Sequence, residues 1–261
     1  KKATEFGWIT LERQQEIIDK LEKDTLTIGV IGQMKCGKST FLNSFVFEDD
    51  ILPAATTPMT AALSVITYGE EKKIVAEFYT ADEWEEQKLQ ASRSLDEVQG
   101  NLLEESKVKA AKELVEKSSK LGSSLNSLLG KTQEDSFENL IEYVGADGKY
   151  ISITKSVNIY YPKEYLKGVE IVDTPGLFGS KEKESEDGNF IKLSDVTKKY
   201  IDQANIILYV VDAKNPIKDS HKETVRWIMQ DLHKIDTTIF VINKMDSVAD
   251  IIDNDDFRKV Y

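Results

Sequence analysis

The fold of this chain is decided by the stretch Gly32-Gln33-Met34-Lys35-Cys36-Gly37-Lys38-Ser39. It fits G-x-x-x-x-G-K-[S/T], the pattern of a phosphate-binding P-loop. Residues 26–31 before it are mostly apolar and predict a strand, and residues 39–45 after it predict a helix. A chance match is the competing interpretation, and the flanking elements disfavour it. The strand, the turn and the helix N-terminus together form an anion site, because the first helical amides have no partner inside the helix.

Each residue of this loop has an expected role. Lys38 is expected to reach the β- and γ-phosphates, and the Ser39 hydroxyl to bind Mg²⁺. We assign nucleotide contacts to the rest of the loop and its first helical turn as well: Gln33, Met34, Lys35, Cys36, Gly37 and Thr40. Cys36, near a helix N-terminus and Lys38, either has a lowered thiol pKa and a redox role or is a small residue that fills the loop.

The composition is that of an ordinary soluble globular chain. Its 261 residues are enough for one large or two small domains. The formal net charge of −12 disfavours nucleic acid as a partner and also disfavours direct contact with an anionic membrane. The single cysteine excludes an internal disulfide and fits a reducing compartment, so we expect a cytoplasmic protein.

Apolar strands alternate with amphipathic helices along most of the chain. Residues 61–68 and 72–79 predict two strands joined as a β-hairpin by Gly69-Glu70-Glu71. Residues 206–211 and 238–242 are continuous apolar runs, which predicts strands buried on both faces. This alternation predicts an α/β fold with a mostly parallel sheet.

Two helical regions complete the predicted organisation. An apolar stripe over residues 10–23 predicts an N-terminal helix, so we divide the chain into segment 1–24 and a nucleotide-binding domain over 25–261. From Ala81 to about Gly130 the chain is polar and apolar residues recur every three or four positions, and residues 134–144 predict one more short helix. The region of about 81–145 is too long for a loop, so we interpret it as a helical insertion packed on the core, with a separate recognition device as the alternative.

A second motif, Asp173-Thr174-Pro175-Gly176, follows a predicted strand over 169–172. An acidic residue at such a strand end is placed to hold Mg²⁺, so Asp173 is a candidate metal and nucleotide residue. The Gly176 amide can meet the γ-phosphate, and the glycine lets the segment move when that phosphate leaves. The simpler alternative is a proline-containing turn.

The loop after the P-loop helix holds three threonines, at positions 56, 57 and 60. A threonine there can complete the Mg²⁺ shell and hold the attacking water in a loop ordered by the γ-phosphate. We prefer Thr60, which adjoins the next strand, over the other two. A solvated threonine-rich loop without a catalytic role is the alternative.

The last motif, Asn243-Lys244-Met245-Asp246, follows the strand over 238–242. A carboxylate in a pocket, here Asp246, accepts from both N1–H and the N2 amino group of guanine, and adenine offers no such pair. Asn243 can reach the N7/O6 edge of the base or brace the P-loop, and the Lys244 stem can lie on the base. After the two other motifs, this one favours GTP.

Together these motifs resemble the large GTPases of the dynamin superfamily, most closely the bacterial dynamin-like proteins. The resemblance covers roughly residues 25–250 and includes Leu52-Pro53 and Val210-Val211-Asp212-Ala213. It implies an enlarged Ras-like P-loop sheet with an antiparallel edge, and Mg²⁺-dependent hydrolysis of GTP to GDP and phosphate. It further implies dimerisation of the G domain with itself or a paralogue, and membrane remodelling by parts outside this chain.

The same resemblance implies that the chain stops before the last strand of the family's G domain and before its membrane-binding parts. We therefore expect peripheral attachment at the inner face of a membrane, through regions beyond Tyr261. Two rival functions stay open. One is a regulatory GTPase of the ribosome-assembly type, and the other is an assembly scaffold that binds GTP and hardly hydrolyses it.

Lys35 departs from the dynamin pattern. Many dynamins carry serine at this position, where it helps to hold a monovalent cation, and related guanylate-binding proteins carry an arginine finger there. The Lys35 ammonium is then a candidate catalytic group that replaces the cation. If Lys35 instead faces solvent without a role, K⁺ or Na⁺ is the expected cofactor beside Mg²⁺.

The two residues that follow Gly176 are Leu177 and Phe178. Both are apolar and neither is a catalytic glutamine, so intrinsic hydrolysis should be slow.

Overall fold

The computed structural model describes residues 10–11, 15, 25–33, 35–53, 62–99, 102–174, 200–214, 219–246 and 248. Within these residues, eight strands form one sheet: β1 (Leu26–Gly32), β2 (Leu63–Tyr68), β3 (Lys73–Phe78), β4 (Thr132–Ser136), β5 (Thr154–Tyr161), β6 (Val169–Asp173), β7 (Ile206–Asp212) and β8 (Thr238–Asn243). The described helices are α1 (Lys38–Leu42), α2 (Ala81–Ser92), α3 (Leu102–Ser118), α4 (Leu125–Leu128), α5 (Ile141–Val144) and α6 (Asp219–Gln230).

The strand order is β4-β3-β5-β2-β6-β1-β7-β8. Strands β6, β1, β7 and β8 run parallel to one another, and β2 runs parallel to β5. Strands β3 and β4 form the antiparallel edge, and the β2–β6 pair inside the sheet is antiparallel as well. The predicted α/β sheet, mostly parallel with an antiparallel edge, is confirmed.

The predicted hairpin between β2 and β3 is wrong, because β5 lies between these two strands. Leu63 pairs with Ser156 in a parallel register, and Lys73 pairs with Tyr160 in an antiparallel one. Gly69 follows β2 and lies against Tyr160: a Cβ on it would stand 2.7 Å from the Tyr160 Cβ. Placing β5 here buries β2 on both sides, which a two-stranded hairpin does not.

The prediction that residues 238–242 form a fully buried strand is also wrong. Strand β8 is the last strand of the described sheet, and each of its side chains is either partly buried or exposed. Ile239, Phe240 and Ile242 are each about half exposed.

At the other edge of the sheet, strand β4 has the sequence Thr-Gln-Glu-Asp-Ser. It is polar and short, as exposed edge strands usually are.

The helices predicted over 81–130 are α2, α3 and α4, which end at Leu128. The short helix predicted over 134–144 is wrong in its first part, because residues 132–136 form the edge strand β4 and α5 begins at Ile141. Gly122 breaks the helical run with a left-handed φ of 51°. These helices contribute buried side chains to the core: Trp84 on α2 and Val108 and Leu114 on α3 are buried.

The sheet separates the two main apolar clusters. The larger cluster packs the insertion and α1 on one face, with Val30, Leu42, Ile66 and Trp84 among its members. The smaller cluster packs Ile31 and Tyr209 of the sheet against Ile228 of α6.

The predicted helix over 10–23 falls almost entirely outside the described residues. In the part of the chain that the structure describes, no helix combines the length and apolarity needed to cross a membrane.

Helix α1 continues as a π-helical turn over Asn43–Phe47, and Asn43 pins the loop that follows. Its side-chain Nδ2 donates to Asp50 Oδ1 (2.9 Å) and to the Leu52 carbonyl (3.0 Å). Its Oδ1 accepts from the Leu52 amide at 2.7 Å. Because Asn43 is buried, water cannot replace these partners.

Replacing this residue, Asn43→Ala, should therefore cost about 2 kcal/mol of unfolding free energy, roughly 4–8 °C in Tm. The matched control is Asn139→Ala, since the exposed Asn139 side chain donates, among the residues that the structure describes, to Asp135 alone, and water can take its place. Thermal unfolding of both variants checks this. Equal Tm values for the two would contradict the structural role of Asn43.

Candidate functional site

Four strand ends meet at one edge of the sheet. Because β6, β1, β7 and β8 are parallel, their carboxyl ends lie side by side, and ligands of open α/β sheets bind outside such ends. Val30 of β1 aligns with Asp173 of β6, and Asp212 of β7 aligns with Asn243 of β8. The P-loop leaves β1 at the same edge, so the separate sequence motifs are brought together here.

The P-loop turn is tight and leaves no space for a side chain at its first glycine. Gly32 has no room for a side chain, since a Cβ there would stand 2.6 Å from the Val210 carbonyl and 2.8 Å from the Cys36 Sγ. Lys35 has a φ of 63° and Gly37 a φ of 89°, both in the left-handed region. Helix α1 then begins at Lys38, with Ser39 half-buried and Thr40 exposed in its first turn.

Lys38 and Asp173 form the charged centre of the site. The Lys38 side chain is 7% exposed, and its Nζ lies 3.7 Å from the Asp173 Oδ1. Burial raises the pKa of the Asp173 carboxyl above its ordinary value, and the nearby Lys38 ammonium opposes that rise.

The Asp173 Oδ1 is buried and accepts no hydrogen bond from the described residues. A buried carboxylate oxygen that accepts no hydrogen bond is suited to a hard cation. Ser39, in the first turn of α1, would offer its hydroxyl as a second oxygen ligand. The donors at this place therefore fit Mg²⁺.

The Asn243 side chain braces the P-loop. Its Nδ2 donates to the carbonyls of Cys36 and Gly37, each at 3.1 Å. Of the two roles that the sequence left open for Asn243, the structure shows this one. Gly37 is required for the contact, because a Cβ on it would stand 2.4 Å from that Nδ2.

Lys244 ties the same loop to β7. Its ammonium donates to the Lys35 carbonyl and pairs with the Asp212 Oδ2 at 2.8 Å.

Asp246, the candidate guanine-reading carboxylate, is exposed beyond the end of β8. Within the P-loop, the Gln33 carbonyl accepts a hydrogen bond from the Cys36 amide at 3.3 Å, which closes the turn between these two residues.

Sequence reasoning missed two contacts of this site. The Thr174 hydroxyl donates to the Val30 carbonyl at 2.8 Å and fixes the start of the Asp-Thr-Pro-Gly turn to β1. In the sequence, Asp212 is only part of a stretch similar to dynamins, which does not predict its ion pair with Lys244. In both contacts the two partners are far apart in sequence. The one available signal for the Asp212–Lys244 pair is the position of Asp212 at the end of a strand.

The suggestion of a lowered thiol pKa at Cys36 is wrong. Cys36 is 2% exposed, and burial raises the pKa of its thiol despite the nearby Lys38 ammonium. Its Sγ fills the space beside Gly32, which agrees with the space-filling role. Three of the candidate residues, Met34, Thr60 and Gly176, lie outside the described residues.

This combination of a P-loop, a strand-end aspartate and a bracing Asn-Lys pair defines a P-loop nucleotide-binding domain. The chain matches the dynamin family over residues 28–245. It therefore belongs to the dynamin family, whose members are GTPases, and the part of that family present here is the G domain.

Similar proteins include a bacterial dynamin-like protein of Nostoc punctiforme, 26% identical over 97% of this chain and 30% of the relative. Another is dynamin-like protein 1 of Campylobacter jejuni, 26% identical over 78% of this chain and 25% of the relative. A solved oligomerised bacterial dynamin pair has the same fold, with a TM-score of 0.60 and 20% identity over 98% of this chain and 32% of that one. The chain thus spans about a third or less of these relatives.

The contact between Gly37 and Asn243 can be tested with Gly37→Ala. The new Cβ adds both left-handed strain and a collision with Asn243, so nucleotide affinity should fall by more than about tenfold. The control is Gly130→Ala, since Gly130 has a φ of 72° but open space around it. That variant should lose about 1 kcal/mol of stability from strain alone and keep its affinity. Calorimetric titration with GDP measures this, and equal affinities for the two variants would remove the steric role of Asn243.

Proposed function

We propose that this chain binds GTP and hydrolyses it to GDP and phosphate with Mg²⁺. The observation that carries the proposal is the double hydrogen bond from the Asn243 amide to the P-loop. It makes the guanine motif and the phosphate loop one rigid unit. Such a unit fits a ligand with a base at one end and phosphates at the other.

The described Lys38, Ser39 and Asp173, together with Thr60 and Gly176 from the sequence motifs, suggest a division of tasks for phosphoryl transfer to water. The Lys38 ammonium stabilises negative charge on the β- and γ-phosphates. Ser39, Thr60 and Asp173 would hold Mg²⁺, which supplies further charge neutralisation when bound. Thr60 and the Gly176 amide are assigned to the attacking water and the γ-phosphate. No covalent intermediate is needed, because catalysis in this class is positioning and electrostatic stabilisation.

Guanine selectivity is assigned to the end of β8. The Asp246 carboxylate accepts from two neighbouring N–H groups of guanine, and Asn243 holds that segment against the P-loop. A site built for paired hydrogen bonds rejects an analogue that lacks them, because its polar groups are then left unpaired. ATP should therefore bind much more weakly than GTP.

We further propose that the chain acts within a dynamin-like assembly, through association of its G domain with itself or a paralogue. Membership of the dynamin family supports this and disfavours a role in ribosome assembly. The bacterial dynamin pair of similar fold is described as sensing and tethering membranes. For this chain we propose peripheral membrane attachment through other parts of the polypeptide, and no binding of nucleic acid.

The activity can be tested with Lys38→Ala, which removes the buried ammonium beside the phosphates. GTP turnover should fall by more than about a hundredfold. The control is Lys163→Ala, since Lys163 is also partly buried and ion-paired, at 2.7 Å to Glu48, but follows the end of β5 that lies opposite the site. Phosphate release at saturating GTP measures both. Unaltered turnover in Lys38→Ala would remove the whole site assignment.

The wild-type chain should also turn over GTP faster per molecule as its concentration rises, because association completes the site. Turnover that stays low at all concentrations, with single-turnover hydrolysis equally slow, would favour the GTP-binding scaffold instead.

A separate prediction concerns Lys35, whose side chain is exposed on the P-loop. If its ammonium replaces a monovalent cation, wild-type turnover should be the same with and without K⁺ or Na⁺. The Lys35→Ala variant should be slower by about tenfold or more and should recover with K⁺. Lys120→Ala is the control, because Lys120 is an exposed lysine of the insertion that donates to the Asp147 carbonyl. Strong K⁺ dependence in the wild type would contradict the finger role.

A further inference from the structure

We propose that Asp212 is a positioning residue for the nucleotide site and acts through Lys244 on the backbone of the P-loop. The proposal rests on the proposed function, because it concerns the same site. It adds a residue that lies outside the three nucleotide motifs and is not expected to touch the nucleotide itself.

The Asp212 carboxylate is held in place from two directions. It ends β7, where it aligns with Asn243 of β8, and the Asn243 carbonyl accepts from the Ala213 amide at 2.9 Å. Its Oδ1 accepts from the Lys214 amide at 2.9 Å, which orients the group within its own turn. The remaining oxygen, Oδ2, faces the Lys244 ammonium at 2.8 Å.

Lys244 connects the Asp212 carboxylate to the backbone of the P-loop. The same ammonium donates to the Lys35 carbonyl, and both residues have a left-handed φ, 60° for Lys244 and 63° for Lys35. Such conformations are costly for residues other than glycine and need contacts that hold them. The Lys244 side chain is 38% exposed, so without a carboxylate beside it the ammonium can turn to water. Asp212 therefore keeps it on the Lys35 carbonyl.

The test is Asp212→Asn, which removes the charge and keeps the shape. The matched control is Glu83→Gln, because the Glu83–Lys155 pair has the same length of 2.8 Å and similar exposure, 36% and 20% against 24% and 38%. Both variants should lose similar, small amounts of stability. Only Asp212→Asn should weaken GDP and GTP, each by about tenfold, with the loss in turnover appearing in KM while kcat stays within about twofold.

A double-mutant cycle with Lys244→Met shows whether Asp212 acts through Lys244. The double variant should bind GDP no more weakly than Lys244→Met alone, since the contact is already lost. Fully additive losses would overturn the proposal. So would nucleotide affinities of Asp212→Asn equal to those of Glu83→Gln.

A readout without nucleotide separates this proposal from the proposed function. Cys36 is the single cysteine, is buried, and lies next to Lys35 in the loop, so its labelling by a thiol reagent reports opening of the P-loop. In the nucleotide-free protein, Asp212→Asn should be labelled at least about fivefold faster than the wild type, and Glu83→Gln at the wild-type rate. Equal labelling of the two variants would overturn the role of Asp212 even if GTP binds. Faster labelling of Asp212→Asn in a protein that binds no GTP would support that role and reject the proposed function.

Discussion

The site depends on one interaction, the pair of hydrogen bonds from the Asn243 side chain to the Cys36 and Gly37 carbonyls. A P-loop needs its amides turned toward the ligand, which leaves its carbonyls pointing away into the protein. Those carbonyls lose water when the loop is packed and need donors there. Asn243 supplies them, and its position at the end of β8 makes the geometry of the sheet a condition for the geometry of the loop.

Much of this arrangement could be predicted from the sequence. The P-loop pattern and the strand before it were sufficient for β1, and the apolar runs were sufficient for β6 and β7. These features are local, since the residues that make them are neighbours in the chain. The resemblance to dynamins, based on the three motifs, was correct as well.

The errors share a physical cause, because each concerns a neighbour that is distant in sequence. The apolar residues of β8 looked like those of a buried strand, yet burial depends on what lies beside Ile239 and Ile242. Cys36 has the neighbours that lower a thiol pKa, and desolvation by packing outweighed them. The same holds for Thr174 and Asp212, whose partners are a backbone carbonyl on β1 and a lysine after β8.

The position of β5 between β2 and β3 has a consequence for how the chain folds. Strands β2 and β3 are joined by a few residues, yet Leu63 pairs with Ser156, which is made only after the whole helical insertion. Two adjacent strands with open edges tend to pair directly, and here that pairing would exclude β5. The native order has many long-range contacts, so its assembly is intrinsically slow. A hairpin of β2 and β3 that forms during synthesis, before β5 has been made, would therefore have to open again before β5 can take its place between them.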